Sequence, residues 1–279
     1  MEGAYYMDNQ RDYDLYRDIQ TRCNGEIYIG VVGPVRTGKS TFIKRFMDLL
    51  VLPHIEDEFE RERANDELPQ SAGGKTITTT EPKFIPKEAA SISLGEGAQA
   101  RVRLIDCVGY MVEGAAGHME NGEERMVKTP WSEEEIPFTQ AAETGTRKVI
   151  ADHSSVGIVV TCDGSFTEIG RQQYEPAEER TVRELKKLNK PFIVLLNTTK
   201  PYSEETGKLA EVLSEKYRVS VLPVNCEQLK KEDITAILEN VLLEFPVTEL
   251  DFYTPQWMEM LPEDHWLKAE LIAKAAEVL

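Results

Sequence analysis

The sequence predicts an α/β protein, a three-layer α/β/α arrangement built on a mostly parallel sheet with one antiparallel hairpin strand. Three observations carry this expectation. Short hydrophobic runs rich in β-branched residues recur at "EIYIGVVG" (26–33), "RVRLID" (101–106), "VGIVVTC" (156–162), "PFIVLLN" (191–197) and "VSVLPVN" (219–225). Polar stretches of helical length, near 174–189 and 203–217, separate the later runs, and this alternation marks parallel strands joined by crossover helices. A glycine-rich turn follows the first run and opens a helix.

Taken in order, residues 9–21 set Leu15, Tyr16 and Ile19 among charges at helical spacing, which predicts a helical extension over residues 1–25. The main domain is expected over 26–245. Its first run is nearly unbroken and ends in glycine, as a strand buried on both faces does. A helix is expected from Lys39, with Phe42, Phe46 and Leu49 on one side and a stop at Pro53. Residues 56–68 are densely charged and predict an exposed helix, followed by a polar loop, "PQSAGGKTITTTEP" (69–82). "KFIP" and "ASISL" read as extended, and the turn residues Gly95, Glu96 and Gly97 join them to "RVRLID" as a hairpin. Residues 111–137, with Trp131 and consecutive glutamates, are too long for a simple connection and read as an insertion, either a lid or a contact surface. After Pro246, "VTELDFYTPQW" reads as extended and "DHWLKAELIAKAAEVL" as helical, so 246–279 is expected to be a C-terminal extension leading into a further domain.

Composition narrows the function. The chain has 279 residues, 41% hydrophobic and 29% charged, the balance of a folded globular protein. Thirty-two basic against 49 acidic residues give a net charge of −17 with no basic cluster, which disfavours nucleic acid and anionic lipid, so membrane contact is expected to be indirect. Cys23, Cys107, Cys162 and Cys226 form no CxxC pair, and His54, His118, His153 and His265 are dispersed, so neither a disulfide framework nor a zinc site is suggested. The N-terminus lacks a leader pattern and no run approaches the ~20 apolar residues of a membrane span, which points to the cytoplasm.

The chemistry lies in "GVVGPVRTGKST". Gly33, then Pro34, Val35, Arg36 and Thr37, then Gly38, Lys39 and Ser40 match the phosphate-binding loop in its required place between a strand and a helix. The glycines let successive backbone N–H groups face phosphate oxygens, and the helix N-terminus, with Thr41 in its first turn, adds a favourable potential. Lys39 is expected to reach the β- and γ-phosphates and Ser40 to place its hydroxyl on Mg²⁺, a hard ion that prefers oxygen. Arg36 reads either as a charge-neutralising group or as a solvent-facing loop residue.

"RLIDCVGY" supplies Asp106, at a strand end, to bind Mg²⁺ directly or through water, and Gly109, whose N–H can turn toward the γ-phosphate. In "KTITTTEP", Thr78, Thr79 and Thr80 are candidates to coordinate Mg²⁺ and orient the attacking water, the plainer reading being the edge of a β-prone loop. Guanine-specific proteins carry Asn-Lys-x-Asp after the fifth strand; here "NTTK" keeps Asn197 but sets Lys200 where the aspartate would accept from guanine. Lysine has no acceptor, so guanine selectivity is expected to be lost and adenine favoured. Tyr110 stands where some GTPases place a water-positioning glutamine, so hydrolysis is expected to be slow or to rely on the threonines, on assembly or on a partner.

Together, "GVVGPVRTGKSTFIKRFMDLLVLP", "DELPQSAGGKTITTTEPKF", "LIDCVGY", "AAETGTRKVI" and "PFIVLLN" resemble the stage IV sporulation protein A family, from about Glu26 to near Trp266. The resemblance implies a fold similar to translation-factor-type GTPases, in cytoskeletal ATPases that hydrolyse ATP to assemble irreversibly into a static polymer. It further implies a basement layer of the spore coat on the forespore surface, in the mother cell. The partners it implies are further copies of the chain, other coat proteins and a small amphipathic membrane-anchoring protein. By position it makes Lys39 the loop lysine, Asp106 the metal-associated aspartate, and Thr79 and Thr80 the threonines that sense and promote hydrolysis; Thr78 is an extra threonine. Two rival readings of the residues are a GTP-dependent switch that binds an effector without assembling, and a scaffold that binds nucleotide without hydrolysing it.

Overall fold

In the computed structural model, which describes residues 26–69, 81–93, 99–115, 117–120, 122–245, 256–262 and 265–278, the first hydrophobic run forms strand β1 (Glu26–Val32). Helix α1 (Lys39–Phe46) follows, continues as a π-helical turn (Met47–Val51) and ends in a 3-10 turn (Leu52–His54). The helical path thus runs through Pro53 rather than stopping before it, because a proline at the start of a new turn forfeits no hydrogen bond. The charged stretch forms α2 (Glu58–Asp66), capped by Asp57, whose carboxylate accepts the Glu60 N–H at 2.7 Å.

Strands β2 (Lys83–Ser93) and β3 (Gln99–Asp106) pair antiparallel. The two extended stretches expected before β3 are one strand, with an irregular register between Ile85 and Ala90. The insertion contains two small hairpins, β4 (Met119–Glu120) with β5 (Glu123–Glu124) and β6 (Met126–Thr129) with β7 (Ser132–Pro137). Helix α3 (Phe138–Lys148) follows and runs on as a π-helical turn, Val149–His153. Then come β8 (Val156–Cys162), α4 (Arg171–Lys187), β9 (Phe192–Asn197), α5 (Glu204–Tyr217), β10 (Val221–Val224) and α6 (Lys231–Leu243).

The chain divides into two compact units, Met1–Phe245 and Pro246–Leu279. The second contains α7 (Gln256–Glu259) and α8 (Trp266–Val278). Gln256 and Trp257, expected to be extended, are therefore helical; they follow a proline in the sequence, a position that favours helix starts. The expected helix over 9–21, the threonines of the polar loop, the turn at Gly95–Gly97 and residues 246–255 lie outside the described residues.

The main sheet has the order β10-β9-β8-β1-β3-β2, parallel throughout except at β2. The apolar side chains of β1, β8 and β9 alternate between its faces. Ile27, Ile29, Val31, Ile158, Ile193 and Leu195 pack with Phe42, Ile43 and Phe46 of α1 and Ile234 and Ile237 of α6. Val32, Val159, Val194 and Leu196 pack on the other face with Val149, Val182, Leu185 and Leu213, which follow α3 or lie in α4 and α5. Burial on both faces is why these strands read as unbroken apolar runs. Helix α4 approaches so closely that a Cβ on Gly157 would fall 2.9 Å from Leu185 Cδ2. The strand order reverses at β1, with β3 on one side and β8 on the other, and the carboxyl ends of the strands at such a switch point are the usual place for a ligand in such sheets.

Candidate active site

The turn after β1 is wound through the left-handed region at Gly33 (φ 130°), Arg36 (φ 62°) and Gly38 (φ 97°). Glycine is required at both ends: a Cβ would lie 2.4 Å from the Val160 carbonyl oxygen at Gly33 and 2.4 Å from Asn197 Nδ2 at Gly38. Arg36 is half-buried, and Thr37 is buried with its hydroxyl donating to the Pro34 carbonyl at 3.0 Å. Lys39 is 5% exposed and folds back over the turn, its ammonium donating to the carbonyls of Pro34 at 2.6 Å and Gly33 at 3.4 Å.

Asp106 ends β3 next to this turn and accepts the Ser40 hydroxyl on Oδ2 at 3.0 Å, while its Oδ1 is buried without a hydrogen-bond partner. The segment after Asp106 is zipped to the turn. The Val35 N–H donates to the Tyr110 carbonyl at 2.9 Å, and the Tyr110 N–H donates to the Gly33 carbonyl at 3.3 Å. Gly109 (φ 96°) sits against the same groups, since a Cβ there would lie 2.1 Å from the Gly33 oxygen and 2.7 Å from Lys39 Nζ.

Electrostatics fit a cation and an anion arriving together. Burial pushes the Asp106 carboxyl above the usual carboxylate range, opposed by Lys39 and by the Ser40 hydrogen bond. Burial likewise pushes the Lys39 ammonium down, opposed by Cys107 and Asp106. A divalent cation on the Asp106 carboxylate and phosphate oxygens on Lys39 would stabilise the charged form of each. Ser40 Oγ and the unpartnered Asp106 Oδ1 are the oxygen donors that Mg²⁺ prefers, so these residues fit the ion.

The end of β9 and the loop after it are pinned from two directions. Asn197 is buried; its Nδ2 donates to the Thr37 carbonyl at 2.9 Å, and its Oδ1 accepts the Cys226 N–H at 3.0 Å. Thr198 donates to Asp163 Oδ2 at 2.6 Å and accepts the Lys200 N–H at 3.1 Å, leaving the Lys200 residue exposed. The Tyr110 side chain is committed elsewhere. Its ring packs beside Tyr174 and Ala177 of α4, its hydroxyl donates to Glu184, and the Arg180 guanidinium lies 4.5 Å from the ring centroid.

The sequence model of the family described as "Stage IV sporulation protein A, ATPase domain" matches residues 9–246. The chain belongs to that family. It is similar to Stage IV sporulation protein A of Clostridioides difficile (strain 630), 54% identical over 259 residues that cover 93% of this chain and 53% of the relative. It is similar, too, to the proteins of that name from Bacillus anthracis (53% over 255 residues, 91% of this chain and 52% of the relative). For Bacillus subtilis (strain 168) the identity is 52% over 255 residues, again 91% of this chain and 52% of the relative. The chain spans about half the length of the curated relatives it matches. Among the described residues no helix is long and apolar enough to cross a membrane.

In this chain the structure brings together Gly33 to Thr41, Asp106, Gly109 and Asn197; Thr79 and Thr80 lie outside the described residues. Sequence reasoning missed Thr146, whose hydroxyl oxygen accepts the Gly109 N–H at 3.2 Å, and Asp163, which holds Thr198. Asp163 directly follows β8, and the rule that strand carboxyl ends line the crevice would have found it; no local signal marks Thr146. Asn197→Ala removes both bonds of the family domain's cross-tie and leaves the buried Cys226 N–H unpaired. It should cost about 1–3 kcal/mol in urea unfolding, and an unchanged midpoint would contradict the cross-tie.

Proposed function

We propose that this chain binds ATP on the turn 33–41, with Mg²⁺ held by Ser40 and Asp106, and hydrolyses it. The observation that supports this most is the convergence of Lys39, Ser40, Asp106 and Gly109 at one strand-end crevice, inside the span matched to an ATPase domain. Lys39, now on the Gly33 and Pro34 carbonyls, exchanges them for phosphate oxygens, and the turn's backbone N–H groups orient the phosphate chain. Bound Mg²⁺ supplies charge neutralisation at the phosphates. Thr79 and Thr80 sense and promote hydrolysis, with Thr79 on the metal.

Adenine is the favoured base because Lys200 offers no acceptor to guanine. In the whole protein, hydrolysis drives assembly of copies into a static polymer. That polymer is the basement layer of the spore coat on the forespore, in the mother-cell cytoplasm, tethered by a small amphipathic membrane protein.

Turnover of ATP and GTP by the chain, followed by phosphate release, tests the nucleotide. kcat/KM for ATP should exceed that for GTP by about tenfold or more. Equal or faster use of GTP would favour a GTP-dependent switch instead. Sedimentation of the full-length protein with ATP, with ADP and without nucleotide tests assembly, pelleting being expected with ATP alone.

A further inference from the structure

We propose that Thr146 is a positioning residue that competes with the γ-phosphate for the Gly109 N–H, so that phosphate occupancy is relayed to helix α3. This rests on the nucleotide reading above. Thr146 is 0% exposed, and its hydroxyl proton goes to the Ala142 carbonyl at 2.8 Å, which leaves the oxygen's acceptor side to the Gly109 N–H at 3.2 Å. The Gly109 α-carbon is packed against Lys39, the group assigned to the terminal phosphates, with a hypothetical Cβ 2.7 Å from its Nζ. With its residue against that ammonium, the Gly109 amide reaches a phosphate oxygen held there by reorienting its own peptide, a change glycine tolerates. One N–H makes one good hydrogen bond, so the amide leaves Thr146 to serve the phosphate.

The release is felt in α3. That helix is held by Thr146 and, one turn earlier on the same face, by Glu143, which pairs with Arg180 of α4 at 2.6 and 2.8 Å. At its start the Phe138 N–H donates to the Arg125 carbonyl at 2.8 Å, tying it to the hairpins of the insertion. A change at Gly109 therefore alters one of the ties that set where α3 and the insertion sit. Because couplings are reciprocal, whatever Thr146 contributes to the arrangement seen here opposes binding of a third phosphate by the same factor.

Thr146→Val preserves shape and removes the acceptor, leaving the Gly109 N–H unpaired unless a phosphate oxygen takes it. The experiment measures the affinity of the chain for ADP and for a non-hydrolysable ATP analogue by calorimetry. The ratio of analogue to ADP affinity should rise about tenfold in Thr146→Val, rise likewise in Thr146→Ala, and return to the wild-type value in Thr146→Ser. Equal changes in both affinities, or no rescue by serine, would overturn the proposal while leaving nucleotide binding intact. Failure of the wild type to bind either nucleotide would overturn the nucleotide reading itself and this inference with it.

Discussion

Lys39→Ala should lower ATP turnover by about a hundredfold to a thousandfold, the usual loss when one preorganised charge-stabilising donor is removed from a reacting phosphate or acyl group. The size follows from where the ammonium is. It is 5% exposed, so water does not replace it, and it lies against Gly109 and the Gly33 and Pro34 carbonyls at the mouth of the turn. Phosphoryl transfer spreads negative charge over the transferred group, and a buried cation there acts in a low dielectric. The lysine also pins its own turn, so the substitution loosens the backbone donors as well. Steady-state phosphate release and nucleotide affinity, measured on the same variant, check this. Turnover within a few-fold of wild type would remove Lys39 from the chemistry.

Glu178→Ala should destabilise the domain by about 3–5 kcal/mol, the cost of leaving a buried charge without its partner. The Glu178 side chain is 0% exposed and accepts from Arg171 at 2.5 and 2.7 Å, from the Tyr217 hydroxyl at 2.5 Å, and from the Thr161 hydroxyl. One carboxylate thus joins β8, α4 and α5, and its removal strands a guanidinium that is only 15% exposed. The same group makes a pH prediction. Burial alone would raise the Glu178 carboxyl, but the Arg171 pair and the Thr161 and Tyr217 hydroxyls outweigh it, and the net shift is downward. A depressed folded value means the contribution is fully present above the unfolded carboxylate value of about 4.3 and is lost as pH falls through the folded one. Urea unfolding at pH 7 and in the acid range should show a steeper acid loss in wild type than in Glu178→Gln, whose amide does not titrate; parallel losses would refute the assignment.

Strand β8 was legible to the residue, because it is a short run rich in valine and isoleucine set between polar residues, and the turn at Gly33–Ser40 was legible because its backbone demands glycine at fixed places. Helix α3 was not. It buries Phe138, Ala141, Ala142, Gly145 and Thr146, of which glycine and threonine are poor helix formers, so packing and not propensity holds it. Helix α6 does carry Ile234, Ile237, Leu238 and Val241 at helical spacing, a signal that a strand-centred reading passes over. Within the site, Lys39, Ser40 and Asp106 were legible from spacing. Thr146 was not, because nothing in its own stretch of the chain marks it, and Asp163 was signalled only by its place directly after β8.

The Asn197 amide, with one atom on the Thr37 carbonyl and the other on the Cys226 N–H, ties the turn 33–41 to the segment after β10 through the end of β9. Under the proposed nucleotide reading, a substitution at Asn197 is therefore expected to change base preference and phosphate affinity together, while Lys200, exposed and bonded through its N–H to Thr198, stands outside this tie.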